Sequence, residues 1–78
     1  MLVGSPGINA TPFVRALMTY GCGQKTAEGI AELVARMASY RTPSYPTVAQ
    51  VALGTAKYEI QADLKAGMLV LLAAKPIP

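Results

Sequence analysis

Between Gln24 and Tyr40 the sequence reads QKTAEGIAELVARMASY, and its apolar residues recur at helical steps. Ala27, Ile30, Ala31, Val34, Met37 and Ala38 share one side, and Glu28, Glu32, Arg36 and Ser39 share the other. That spacing predicts an amphipathic helix. A helix with one oily face constrains everything around it, because the rest of a short chain must supply the cover. Thr26 is the expected N-cap, its hydroxyl accepting from a first-turn amide, and Glu28 then lies near the positive end of the helix dipole. Glu32 and Arg36 form an i,i+4 pair in the favourable order, worth a few tenths of a kcal/mol. Pro43 disfavours helical geometry at Thr42 and marks the end.

The flanking segments divide into short elements. Residues 1–10 hold two glycines and a proline and are expected to be an extended arm. Thr11-Pro12 is a helix start, and Phe13, Leu17 and Tyr20, widened by Val14 and Met18, predict a helix from Pro12 to about Tyr20. Gly21-Cys22-Gly23 then turns the chain, so the two helices should pack as a hairpin. After the proline-rich connector Arg41 to Pro46, the stretch Thr47 to Leu53 (TVAQVAL) is expected to be a short third helix, capped by Thr47 and stopped by Gly54. From Lys57 to Lys65 the pattern changes to strict alternation: Tyr58, Ile60, Ala62 and Leu64 against Lys57, Glu59, Gln61, Asp63 and Lys65. That is the period of a half-buried strand. Ala66-Gly67 supplies a turn into MLVLLAA, giving a strand hairpin. A helical reading competes, since Leu53, Ile60, Leu64 and Leu71 also share a helical face; it would place Glu59 and Asp63 as like charges one turn apart and Gly67 inside the helix. The expected fold is a single small α+β domain: an N-terminal helical hairpin, a short third helix and a C-terminal β-hairpin. The alternative is an all-α or winged-helix-like chain.

Composition narrows the function. At 78 residues a lone core is marginal unless crosslinks, a metal or other chains add to it. Cys22 is the sole cysteine and there is no histidine, so an intrachain disulfide is excluded and zinc has essentially no ligands. Neither metal nor cofactor is expected. Cys22 has no imidazole partner, and Glu28 and Glu32, one turn apart, read as surface charges opposite the apolar stripe, so no catalytic residue and no small-molecule substrate is expected. Hydrophobic residues make up 53% of the chain and charged residues 14%, against about a quarter charged in ordinary soluble domains. Some apolar surface is therefore expected to be covered by a partner. The apolar run Gly67 to Ala74 is too short to span a bilayer, and the amino end lacks the pattern of a secretory signal. The expected location is intracellular or within an assembled particle. The net charge of +3 arises from basic residues spread singly along the chain.

Two strings resemble nucleic-acid-binding motifs. Gly21 to Ile30 (GCGQKTAEGI) is similar to the helix-hairpin-helix motif, in which a Gly-hydrophobic-Gly turn precedes alanine and isoleucine at the spacing of Ala27 and Ile30. The resemblance implies that Gly21 and Gly23 shape a turn whose amides meet a DNA phosphate, with Lys25 adding a cation nearby. It departs at Tyr20, where the family has proline, and at Ala16 and Thr19, where it has leucines. Thr47 to Val70 looks like a winged helix-turn-helix segment. On that likeness residues 56–64 would be a recognition helix turning Lys57, Tyr58 and Gln61 toward the major groove; Gln50 and Asp63 depart from its pattern.

The expected function is that of a non-enzymatic assembly subunit of a larger complex or particle, of the charge-poor accessory kind found in virions. It would work through apolar contacts with copies of itself or with a larger protein. Phe13, Leu17, Ile30, Val34 and Met37 are the expected core, and Met68, Leu69, Val70, Leu71 and Leu72 the expected interface. A small nucleic-acid-binding module is the alternative.

Overall fold

The computed structural model describes residues 8–40 and 46–78. Two helices come first, α1 (Thr11–Met18) and α2 (Gln24–Ser39), followed by three strands, β1 (Thr47–Leu53), β2 (Ala56–Lys65) and β3 (Met68–Pro76). The strands form one antiparallel sheet in the order β1-β2-β3, so the fold is mixed α+β with helices N-terminal and strands C-terminal. Most of the arm expected over residues 1–10, and the connector expected over 41–46 apart from residue 46, lie outside the described residues.

The two helices begin where the sequence places them, with different caps. Pro12 sits in the first turn of α1, and the Asn9 side-chain oxygen accepts from the Thr11 amide at 3.0 Å, so Asn9 rather than Thr11 meets an open donor. Helix α2 starts after Gly23, which is extended (φ −77°, ψ 166°) and provides no side-chain cap. Thr26, the expected cap, lies inside the first turn.

The segment expected to be a third helix is strand β1. Its inward residues Thr47, Ala49, Val51 and Leu53 alternate with Val48, Gln50 and Ala52, and Leu53 pairs with Ala56 across a two-residue loop. Gly54 opens that loop with φ +65°, the conformation that a Gly-X hairpin turn needs at its first central position. Pairing with β2 along seven residues outweighs the helix propensity of the alanines. The hairpin of β2 and β3 follows the alternation. Lys65 pairs with Met68, and both loop residues lie in the left-handed region, Ala66 at φ 51° and Gly67 at φ 77°. Pairing steps from Gln61–Ala73 to Ala62–Leu71, so Leu72 is the extra residue of a β-bulge.

Both helices pack on one face of the sheet, α1 against β3 and α2 across β1 and β2. Phe13, Leu17, Val34, Leu53, Ile60 and Leu69 are the largest fully buried side chains, each worth about 1.5–3 kcal/mol of burial. Ala27, Ala31 and Ala35, one turn apart on α2, are also fully buried and let the helix approach closely. Of the expected core, Ile30 and Met37 are half-buried.

The loops carry opposite expectations for stability. Ala66→Asn places a residue tolerant of positive φ in an Asn-Gly turn and is expected to stabilise the fold by about 1 kcal/mol in urea unfolding. Gly54→Ala is expected to destabilise it by about 1 kcal/mol or more, because the added Cβ would also lie 3.2 Å from the Gly21 carbonyl oxygen. The same sign for both variants would contradict these turn conformations.

Candidate interaction site

With the helices on one side, the other face of the sheet is bare among the described residues. Strand register places Val48, Gln50 and Ala52 of β1 there, beside Lys57, Glu59, Gln61, Asp63 and Lys65 of β2. Met68, Val70, Ala73 and Lys75 of β3 complete it. The central strand is thus polar along this face, as suits a sheet wetted on one side, and the apolar residues sit on the two outer strands. Val48 and Leu72 are 41% and 44% exposed.

The segment Met68 to Leu72 is divided by its strand geometry. Leu69 is fully buried in the chain's own core, and Leu71 is half-buried on the same side. Met68, Val70 and Leu72 remain available for outside contact.

The two sheet edges differ in kind. The outer edge of β3 is partly occupied: the Asn9 amide donates to the Gly67 carbonyl at 2.8 Å, and the Leu69 amide donates to the Asn9 carbonyl at 3.0 Å. The bulge at Leu72, then Lys75 and Pro76, blunt the rest. Strand β1 carries none of these devices. Its seven residues, TVAQVAL, include no charge, proline or glycine and no register shift, and no described segment pairs with its outer side. The signal for this edge in the sequence was Gly54-Thr55, a two-residue hairpin turn leading back from TVAQVAL into the alternating run of β2.

The motif-like residues fall in two separate places. Gly21 (φ 102°), Cys22 and Gly23 do turn the chain between two packed helices. Cys22 is buried beneath that turn with its Sγ 3.5 Å from the Leu17 carbonyl. Lys25 lines an open groove between the helices together with Val14, Arg15, Met18, Glu28 and Glu32. The groove is of mixed sign: Gln24 donates to Glu28 at 3.1 Å, and Glu32 pairs with Arg36 at 3.4 Å. The recognition helix of the winged-helix resemblance is absent, because residues 56–64 belong to β2. Lys57 and Gln61 point to the bare face, whereas Tyr58 lies on the helix side, its ring edge-on to Tyr20 at 5.2 Å. Strand alternation therefore separates the three residues that the resemblance would bring together.

Among the described residues no cluster of three or more His, Cys, Asp or Glu side chains could hold a metal ion, and no helix is long and apolar enough to cross a membrane. No protein-family model, curated protein or solved structure matches the chain.

The opposite placement of neighbours on β2 is testable. Tyr58→Ala is expected to cost about 1–3 kcal/mol of stability through lost packing on Tyr20 and the core, and Lys57→Ala to lie within about 0.5 kcal/mol of the parent. Equal small effects in chemical denaturation would argue against the strand.

Proposed function

We propose that the chain is a non-enzymatic assembly subunit that holds to other protein chains through the apolar surface its helices leave uncovered. The observation that carries this reading is β1, a charge-free strand whose outer edge is unpaired among the described residues. Unpaired strand amides and carbonyls are a template for another strand, and natural edges are usually blunted by lysine, proline or a bulge. Exposed Val48 and Leu72, in a chain with 14% charged residues, add apolar area beside the edges. The half-covered strand β3 contributes Val70 and Leu72 as a second contact. Such a role fits an accessory chain of a particle or multisubunit complex.

A nucleic-acid-binding module is the second reading. It is favoured by the Gly21-Cys22-Gly23 turn and by the absence of a side-chain cap on α2, which leaves first-turn amides beside Lys25. Glu28 and Glu32 on the adjoining groove oppose it electrostatically.

Light scattering of the full chain at low and high salt, with and without duplex DNA, separates the two. The assembly reading expects association that persists at high salt and weakens in Val48→Glu or Leu72→Glu. Binding that requires DNA, falls steeply with salt and is lost in Lys25→Glu would replace it with the phosphate-contact reading.

A further inference from the structure

We infer that the partner on the β1 edge is a second copy of the same chain, joined by antiparallel pairing of β1 with itself about a two-fold axis at Gln50. This rests on the assembly reading and specifies its partner and register.

The flank of α2 above this edge is the first support. Helix α1 lies over β3 and α2 over β1 and β2, so the side of α2 turned away from α1 overhangs the outer edge of β1. Ile30, Leu33 and Met37 fall there at i, i+3 and i+7; Leu33 is 55% exposed, and Ile30 and Met37 are half-buried. Lys25, Glu28, Glu32 and Arg36, the charged residues of α2, all lie on the groove side or beside it. Below the stripe, Ala49 and Val51 of β1 are likewise half-buried although they point to the helix side. Among the described residues the edge is therefore an apolar rim two layers deep, with the charges of α2 segregated to its other side.

Self-pairing suits both layers. Centring the pair on Gln50 overlaps all seven residues: Thr47 faces Leu53 of the copy, Val48 faces Ala52, Ala49 faces Val51, and Gln50 faces itself. Each apolar pair sets a larger side chain against a smaller one, and the two glutamine amides can bond to each other. The result is one six-stranded sheet with the charges of β2 and β3 left in water. Its helix layer closes too. Neighbouring strands are about 4.8 Å apart, and α2 straddles β1 and β2, so its axis lies about one strand spacing from the two-fold. The two copies of α2 then run roughly 10 Å apart, the separation at which helices pack directly. Ile30, Leu33 and Met37 would meet their counterparts across the axis.

Cysteine crosslinking on the full chain, in a Cys22→Ala background, reads out the register. Gln50→Cys is expected to form a disulfide-linked dimer under mild oxidation, since opposed residues sit within about 6 Å. Val48→Cys alone should not link, its two copies being roughly 14 Å apart, beyond disulfide reach. Mixed with Ala52→Cys, it should link. Leu33→Lys, at an exposed helix position, is expected to weaken dimerisation about tenfold or more while circular dichroism stays unchanged. A salt-resistant dimer that Gln50→Cys fails to trap, but Leu72→Cys does, would overturn this arrangement and leave the assembly reading standing. A chain that stays monomeric at on the order of 100 µM would overturn the inference, and if it also binds no other protein the assembly reading falls with it.

Discussion

A three-stranded sheet offers two faces and two edges, and two short helices can shield one face. Everything else in this molecule follows from how Phe13 and Leu17 of α1 and the alanine ladder of α2 spend their contact on that single face. Ile60, Ala62, Leu53 and Leu69 meet them there and are fully or almost fully buried. The core this builds is small, so the free energy from burial is close to the cost of ordering the chain. Bare strand edges are the consequence. A larger protein would cover them with a further helix; here, among the described residues, nothing pairs with the outer side of β1, and β3 is partly occupied by Asn9 and blunted by a bulge and a proline.

How much of this could be read from residues alone depended on the range of the forces involved. Helix α2 was legible because its stripe runs over four turns, and it was found at Gln24–Ser39. The β2-β3 hairpin was legible from nine alternating residues and an Ala-Gly turn. Strand β1 was misread as helix because TVAQVAL is short and alanine-containing, and its state is set by pairing with β2, a contact that local propensity does not contain. The clue is Gly54-Thr55, a two-residue hairpin loop leading into the alternating run of β2. With residues 56–64 in β2 the winged-helix resemblance loses its recognition helix, and with β1 a strand it loses the short helix before it.

The proposed contact surface differs in place from the one the apolar runs of the sequence suggest. A greasy, uncrosslinked chain implied outside contacts, and the apolar run Met68–Leu72 was the natural location. Strand alternation turned Leu69 inward, which made it core, while Asn9 and the bulge at Leu72 occupy the β3 edge and leave β1 as the edge unpaired among the described residues. Ile30 and Met37 were expected in the core for a related reason: helical periodicity identifies an apolar side, but not which part of that side reaches the sheet. Half-burial of these two residues marks the limit of the core and the start of the rim. Leu33 stood outside the expected stripe and gains meaning from its position above β1.

Two copies could in principle join by stacking bare faces instead of edges, and the charges on β2 weigh against it. On that face the central strand reads Lys57, Glu59, Gln61, Asp63, Lys65, a sequence of signs symmetric about Gln61. Aligned sheets stack about 10 Å apart with strands within about 30° of parallel. A two-fold axis along β2 would set Lys57 over Lys57 and Glu59 over Glu59. An axis across β2 would set Lys57 over Lys65 and Glu59 over Asp63. Either way like charges meet in a space from which water is being removed, where repulsion is stronger than at a wetted surface. Edge pairing leaves all four in solvent and joins strands that carry no charge. The arrangement of signs on one strand thus disfavours one mode of self-association, and the absence of signs on its neighbour permits the other.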